Sequence, residues 1–567
     1  MKIYFTADAK IDPQYSLLFN QIAIEIRKNF TDVIESISAQ HAESITWWVS
    51  SPASRNTFAS PFFHYCCCLV LLERLLRANV PVDEIVTDSK AFRKIIETYL
   101  VRQDVHCKVV LAKKSAKQFL KALVRPIYIM FGLPLRHILF FFIAKRIRFL
   151  QKSSLSQALT LIDTFIMPGY LEKDRYYPGL VDCLTEEEKQ HIWFVPHLYG
   201  FSLWGLPLAI KQLRKSKRNF ILKDDFLKFN DYWCLWRYLW PIRKLQIKSA
   251  FFNGADMSSL VLEELISFRN IGSSYVSLLN YYFAKRLKEA GIKLKLVIDW
   301  FENQSIDKGW NAGFRYFFPD CVTVGYQGFV FSKHFLSLYP TDEERKSAVI
   351  PQKIVVMGRE LVPAAKEFCS ALNVQVAPAF RFQHLWRKRR FSPIANRHTI
   401  LVALPIIISD AIYMLKLIAS ISMETADGVE LLIKPHPATA KWQIQSAFGD
   451  DRIKRFIFVE GDFSDCVEKA NLLISVAGTA CMEALSKGTP VIVIGNNHGL
   501  TQNPIPQTII SDAWSLCYSI KDIEEALQFY RNRDFKKIDE HEKISNKIKE
   551  DYFEPVTKEG VKKFLEL

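Results

Sequence analysis

Short apolar runs alternate with longer stretches of helical character along nearly the whole chain. The runs are KIYFTA (2–7), ITWWVSS (45–51), EIVTD (84–88), KVVLA (108–112), TLIDTF (160–165), IWFVPHL (192–198), KLVIDWF (295–301), VTVGYQG (322–328), KIVVMG (353–358) and VQVAPAF (374–380). After Trp386 the series resumes with TILVALP (399–405), ELLIKPHP (430–437), RFIFVEG (455–461), NLLISVAG (471–478) and PVIVIG (490–495). Each is rich in β-branched or aromatic residues and bounded by Gly, Pro, Asn, Asp or Ser, so each predicts a strand. Helices are predicted between them at 61–78, 89–102, 257–290, 409–423, 479–487 and 521–532. Strands alternating with helices predict parallel α/β sheets. The basic tetrad in WRKRRFSP (386–393) reads as a solvated linker, with a phosphate site as the alternative, and it divides the series in two. The expected architecture is α/β: two Rossmann-like domains, 1–385 and 395–540, facing a central cleft, followed by a helical tail at 541–567. Open α/β sheets bind ligands at the carboxyl ends of their strands, so chemistry is sought there.

One segment breaks the alternation. From Val105 to Ile162 there is no Asp or Glu, while Lys108, Lys113, Lys114, Lys117, Lys121, Arg125, Arg136, Lys145, Arg146, Arg148 and Lys152 are all present. The chain of 567 residues has 75 Lys and Arg against 59 Asp and Glu, a net charge of +16, and most of that excess lies here. Interleaved are IYIMFGLPL (127–135) and ILFFFIA (138–144). A membrane span needs roughly 20 apolar residues in a row. Pro134, Arg136 and His137 interrupt this run, and an Arg at that depth costs about 2.5–3.5 kcal/mol on insertion scales. The segment 113–152 is therefore expected to form two short basic-apolar helices lying in a membrane interface, with a true span or a buried hairpin as alternatives. Lys117, Lys121, Arg125, Arg136, Lys145, Arg146 and Arg148 would meet anionic lipid, and Phe140, Phe141 and Phe142 would enter it. Nucleic acid is not the expected partner: the Phe-rich run suits no phosphate-backbone groove, and no zinc-finger or recognition-helix pattern accompanies it.

A hydrophobic fraction of 49 % with 24 % charged residues excludes a disordered scaffold. The first ten residues, MKIYFTADAK, lack the apolar core of a secretory signal. The eleven cysteines are scattered, contain no C-x-x-C pair, and are expected to be free thiols in a reducing cytosol. No D-x-D triplet or His/Cys cluster predicts a metal site, and no cofactor is expected.

In the second half, ELLIKPHP ends a strand with Lys434, Pro435, His436 and Pro437. Two prolines stop strand and helix alike, which leaves Lys434 and His436 at the sheet edge. A lysine is a point charge and a protonated histidine offers two donors, a pairing suited to phosphate. Some forty residues on, NLLISVAGTACMEALSKGTPVIVIG runs a strand into Ser475, Ala477, Gly478 and Thr479, then into a short helix carrying Glu483. Small residues at a helix start let an anion approach free N–H groups, and Glu483 could accept hydrogen bonds from a ribose. Tight packing is the alternative reading of that turn.

These segments resemble the donor-nucleotide half of GT-B glycosyltransferases, and in particular bacterial enzymes that use CMP-activated acidic sugars, such as sialyltransferases and capsule Kdo transferases. The resemblance implies a nucleotide-sugar donor, CMP-linked by preference over CDP or UDP, held by Lys434, His436, Pro437, Ser475, Gly478 and Thr479. It also implies transfer that needs no metal, the leaving phosphate being stabilised by Lys, His and helix N-termini. Similar motifs occur in glycerophosphotransferases of teichoic-acid synthesis.

The densest polar constellation of the first half is IDWFENQSIDKGWNAGFRYFFPDCVTVGYQGF, 298–329. It resembles surface-polysaccharide (O-antigen type) enzymes in which a strand ending in Glu precedes one ending in a G-x-Q turn; where some relatives carry His after the Gln, this chain has Gly328. Glycosyl transfer needs a carboxylate near the anomeric carbon, as base or nucleophile. Glu302 is the first candidate, with an N-cap or a salt bridge to Lys308 or Arg315 as its structural alternative. Asp8, in the loop after the first strand, is the second. The pair Asp224 and Asp225 is the third, with a solvated helix start as the alternative. Arg55, Asn56, Asn303, Gln304 and Gln327 are the candidates for contacting acceptor or sugar, and Asp174-Arg175 either line the acceptor groove or serve structurally.

The expected function is a peripheral glycosyltransferase on the cytoplasmic face of the membrane. It would move an acidic sugar to a lipid-linked glycan of lipopolysaccharide O-antigen or capsule. A glycerophosphotransferase, a sugar-nucleotide epimerase and a non-catalytic polysaccharide assembly or export protein are the alternatives.

Overall fold

A computed structural model describes the chain from Met1 to Leu567 apart from residues 8–10, 114–115, 148–156, 388–397, 422–427, 438, 450, 477, 510–511 and 533–537. Asp8, Arg148 and most of the basic stretch 386–393 lie outside the described residues, as do the side chains of Lys117 and Lys121.

Two parallel sheets dominate. The first has seven strands in the order Val374–Val376, Lys353–Val356, Val322–Gln327, Leu294–Trp300, Leu159–Ile166, Ile192–Leu198 and Asn219–Phe220. The second has six, in the order Ile457–Phe458, Val429–Lys434, His398–Ala403, Leu472–Ser475, Val491–Ile494 and Trp514–Cys517. All their pairings are parallel. Their strands are the near-continuous apolar runs of the sequence, because helices cover both faces of a parallel sheet. The architecture is two Rossmann-like α/β units whose strand ends face one cleft. A third parallel sheet, of Lys2–Phe5, Glu84–Thr87 and Lys108–Leu111, stands apart in the first half.

The run ITWWVSS is helical, not a strand: Ile45–Trp48 and Ser51–Ser54 are short helices. Its residue types favour strands, but Ser44 accepts from the Trp47 N–H as an N-cap and Pro52 opens the second helix. Both indoles are buried in the core, which favours neither conformation over the other. The helix expected over 257–290 is two, Ser258–Ile266 and Ile271–Glu289, parted where Phe268 and Asn270 take positive φ of 50° and 56°. The second of these packs tightly on Ser305–Phe317, because a Cβ at Gly309 would stand 1.9 Å from the Ser277 carbonyl oxygen.

The basic-apolar segment also differs from expectation. Instead of two short helices it forms one unbroken helical rod: Ala116–Ile127, a π turn at Tyr128–Gly132, and Leu133–Ile147. Pro134 removes the N–H that would reach the Met130 carbonyl four residues back. The π turn reroutes the ladder there, and the Trp236 indole N–H donates to that Met130 oxygen instead. The stretch Ala122–Ile147 is long and apolar enough to cross a membrane by length and composition. It lies on the molecule, however: Ile129, Pro134, Ile138, Phe141 and Ala144 face inward, and Phe141 packs on Tyr232 with ring centroids 5.0 Å apart.

After the second sheet the chain returns to the first. The helix Ile538–Tyr552 passes so close to Gly358 that a Cβ there would meet the Tyr552 backbone at 2.3 Å. The Glu554 N–H donates to the Met357 carbonyl, and its own carbonyl accepts from Ala379 N–H. Finally Val561, Phe564 and Leu565 bury themselves among Tyr177, Tyr326 and Phe380 of the first unit.

Candidate active site

The carboxyl ends of both large sheets open onto one cleft of about 1560 Å³. Ligand pockets for one small molecule run to about 300–1,000 Å³, so this cleft has room for two substrates together. From the second sheet come Lys434, His436, Pro437, Ser475, Gly478, Thr479 and Glu483; from the first comes Glu302. The motifs separated by more than a hundred residues in sequence thus line one wall-to-wall space.

Glu302 follows the strand Leu294–Trp300 and sits half-buried at the cleft wall. Its carboxylate is held from two sides: the Trp300 indole N–H donates to Oε1 over 3.1 Å and the Gln304 amide donates to Oε2. Asp307, one turn into the next helix, accepts from the backbone N–H groups of Glu302 (3.1 Å) and Gln304 (2.9 Å), and so fixes the turn that presents the carboxylate. Burial raises the Glu302 pKa above the ordinary carboxylate range, against the hydrogen bonds and the nearby Arg381, which lower it. Its expected structural alternatives are absent: Gln304, not Glu302, is the N-cap of the helix Ser305–Phe317, Lys308 is paired with Glu344, and Arg315 donates to the Ile350 carbonyl.

Cations gather beside it. Arg381, from the 3-10 stretch Phe380–Trp386, lies over the rings of Tyr176, Trp300 and Phe382 at 5.9, 5.8 and 5.7 Å. Arg175 lies over Tyr170 at 5.2 Å. Both guanidinium groups line the cleft, and neither forms an ion pair with a carboxylate among the described residues. Each acts on His436, whose pKa falls to about 4, chiefly through burial and then through Arg175 and Arg381. His436 is therefore neutral at pH 7, not the charged double donor that the sequence reading pairs with Lys434. At one side Lys173 Nζ meets Asp462 Oδ2 at 2.8 Å and joins the two units across the opening.

Burial is the larger cause, but an anion bound beside His436 would offset the charge of Arg175 and Arg381 and raise its pKa. Sign follows from linkage: a group whose pKa is higher in the bound state strengthens binding at low pH, and that gain fades as pH rises through the bound-state pKa. Titration calorimetry of a nucleotide from pH 5 to pH 8 is thus expected to show proton uptake and falling affinity. The pH slope should flatten in His436→Gln.

The remaining candidates divide. Glu483 lines the cleft, but its Oε1 lies 2.6 Å from His384 Nε2, which leaves one oxygen for a ligand. Thr479 Oγ1 donates across the units to the Val330 carbonyl at 3.2 Å, and Ser475 Oγ donates to the Ala403 carbonyl at 3.3 Å. Gly478 takes φ +95°, and a Cβ there would meet nothing within 4 Å beyond its chain neighbours.

Arg55, Asn303 and Gln327 are not at the cleft. Arg55 Nη2 and Lys308 Nζ both bind Glu344, at 2.9 and 2.6 Å. Asn303 donates to the Ser337 carbonyl (2.8 Å) and to Glu344 (3.1 Å), and Gln327 donates to the Leu338 carbonyl at 3.0 Å. All are buried beneath the site, because a strand-end polar residue that finds partners in the next loop folds inward. Asn56 donates to Gln304 Oε1 at 2.9 Å, and Gln304 in turn holds Glu302, so these two support the carboxylate rather than contact an acceptor.

Asp224 is buried, accepts from the Tyr232 hydroxyl, and has its pKa raised by that burial; the Asp225 carbonyl accepts from Lys145 at 2.9 Å. This pair lies under the basic-apolar helix, outside the cleft lining. Asp174 is structural, accepting from the N–H groups of Tyr176 and Tyr177 and pairing with Arg218 at 2.7 Å.

Arg381 is the residue that sequence reading missed. Its signal was available: PAFRFQHLW places one arginine between two phenylalanines in a run that otherwise reads as core.

No protein-family model matches the sequence, and no curated protein matches it. Solved structures do. The N-terminal domain of Candida albicans trehalose-6-phosphate phosphatase matches with TM-score 0.39 and 12 % identity, covering 73 % of this chain and 97 % of that one. A trehalose-6-phosphate synthase, OtsA, gives 0.41 and 7 %, covering 72 % and 98 %. The UDP-GlcNAc 2-epimerase of Neisseria meningitidis, bound to UDP-GlcNAc, gives 0.40 and 13 %, covering 72 % and 98 %. The fold assignment rests on the two parallel sheets themselves, and the chemistry on the residues of the cleft.

Proposed function

We propose that the protein is a nucleotide-sugar-dependent glycosyltransferase that moves an acidic sugar from a CMP-linked donor to a lipid-linked surface glycan at the cytoplasmic membrane face. One observation carries this reading: a desolvated carboxylate, Glu302, and the cations Lys434, Arg175 and Arg381 share a single cleft between two Rossmann-like units. A CMP-linked acidic sugar bears one phosphate and one carboxylate. Lys434 with His436 suits the first, and the aromatic-cradled arginines suit the second. Glu302 takes the acceptor hydroxyl proton as that oxygen attacks the anomeric carbon. The departing CMP phosphate takes up the electron pair of the broken bond and is stabilised by the fixed cations, which need no reorganisation at that moment.

The membrane component is supported by the exposed face of the helical rod, where Phe119, Leu120, Leu123, Val124, Ile127, Phe131 and Phe142 meet solvent. Arg136 and Arg146 are exposed beside them. Phe141 and Lys145 turn inward instead, Phe141 into the core and Lys145 over the Phe141 ring at 5.5 Å, so they are withdrawn from the membrane set; Phe140 is half-buried.

The test is thermal unfolding with CMP, CDP, UDP and GDP. A nucleotide at 100 times its dissociation constant adds about 2.7 kcal/mol. CMP is expected to raise the melting temperature most; no shift with any of the four would overturn the reading.

A further inference from the structure

The helical rod and the cleft meet at one short loop. Phe268 and Asn270, both at positive φ, turn the chain sharply between the helices Ser258–Ile266 and Ile271–Glu289. Three arginines from different elements converge on this turn. Arg125, on the rod, donates from Nη2 to the Phe268 carbonyl at 3.3 Å. Arg243, at the end of the helix Phe229–Arg243, lies over the Phe268 ring at 5.2 Å. Arg269 lines the cleft. None of the three forms an ion pair with a carboxylate among the described residues. Arg125 is close enough to Arg269 for that charge to lower its pKa, an effect second to burial.

The surroundings are apolar and exposed. On the rod, Val124, Ile127, Tyr128 and Phe131 are open to solvent; on the neighbouring helix Trp233 and Trp240 are exposed by 52 % and 64 %. Arg269 acts on the buried Glu264 carboxyl without pairing with it. Guanidinium groups with no carboxylate at ion-pair distance, at the edge of an aromatic, aliphatic face, match a lipid whose first polar group is an anion: chain on the apolar side, anion on the arginines.

We propose that Arg125, Arg243 and Arg269 form the site for the phosphate of a membrane-borne lipid-linked substrate, placed where the membrane-facing rod opens into the cleft. The inference rests on the transferase reading above and adds to it the route and the headgroup chemistry of the acceptor. The lipid chain stays along the rod, the phosphate is held at the Phe268 turn, and the attached sugar points past Arg269 toward Glu302.

Flotation of the full chain with phosphatidylcholine vesicles tests this. One set carries a few mole per cent of polyprenyl phosphate, another carries phosphatidylglycerol at matched total charge, and a third adds free inorganic phosphate as competitor. Wild type is expected to bind polyprenyl phosphate vesicles about tenfold more tightly than phosphatidylglycerol vesicles. Arg125→Gln/Arg243→Gln should lose that preference while keeping its nucleotide-induced thermal shift, which also reports that it is folded. Arg269→Gln should lose it independently. Ile127→Ser/Phe131→Ser should lose binding to both vesicles. Equal wild-type binding to the two vesicle types, a preference that survives in the arginine variants, or full displacement by inorganic phosphate would overturn the proposal. Failure here with nucleotide binding intact leaves the transferase reading standing; absence of nucleotide binding defeats that reading instead.

Discussion

Glu302→Gln is expected to lower kcat by about a thousand-fold, within the 10²–10⁴ range typical of a positioned general base. The substitution keeps volume and leaves Asp307 in place to hold the turn, so nucleotide affinity should change little. The Gln amide cannot accept a proton. Its NH2 end must also face a donor, either the Trp300 indole or the Gln304 amide, that Glu302 satisfies with a carboxylate oxygen. The wild-type profile should be diagnostic. A base must be deprotonated to act, so kcat/KM rises with pH through the Glu302 pKa, which burial places above the usual carboxylate value. Arg381→Gln removes a nearby positive charge that lowers that pKa, and should shift the acid limb to higher pH. An E302Q enzyme within tenfold of wild type would remove Glu302 from the chemistry and leave the cleft as a binding site.

The largest stability effect is expected at Glu344, which touches no cleft residue. Its side chain is 2 % exposed and is shared by Arg55, Lys308, Asn303 and the Thr341 N–H. Those two cations lower its pKa to about 2 against the opposing effect of burial. Glu344→Gln would leave two buried positive charges with one neutral carbonyl between them, a loss of about 3–5 kcal/mol. The melting temperature of the first transition should drop by about 5 °C or more. The pH dependence carries the opposite sign to that of His436. A depressed carboxylate contributes stability that is complete above its unfolded pKa of about 4.3 and disappears as pH falls toward 2. Wild type should therefore lose stability over that interval, and E344Q should lose less. Scanning calorimetry at a series of acidic pH values measures both.

Glu344 and Glu302 also mark what could and could not be read from the sequence. Local runs were legible: IWFVPHL, KLVIDWF and NLLISVAG are strands because their apolar continuity suits a sheet covered on both faces, and KPHP and SVAGT end strands because their residues forbid continuing them. Those motifs lie together in the cleft because parallel sheets put all their strand ends on one side. Partnership across the chain was not legible. Arg55 and Asn303 have the chemistry of a binding site, and only the position of Glu344, some 290 residues from Arg55, turns them into a buried network. Arg381 is the converse, an arginine inside an aromatic run whose exposure depends on where Tyr176 and Trp300 stand. The continuity of the rod was hidden for a related reason. Pro134 looked like a break, but the Trp236 indole, a hundred residues away, supplies the hydrogen bond that the proline withholds.

The returning C-terminal segment makes the six-stranded unit, in topological terms, an insertion into the first. Chain enters it near residue 398 and leaves it after the helix Ile520–Arg531 to finish inside the core of the seven-stranded unit. The backbone therefore passes between the units twice, and the returning helix is shared by both: Ile548, Tyr552 and Phe553 lie in one buried apolar cluster with Met357 and Leu361 of the first unit and Leu473, Met482 and Leu485 of the second. That cluster ties the Lys434–His436 side of the cleft to the Glu302 side through packed side chains as well as through backbone. Removing the last thirty residues would do more than shorten a tail: it would strip Val561, Phe564 and Leu565 from Tyr326 and Phe380 and take Ile548, Tyr552 and Phe553 out of the apolar seam between the units.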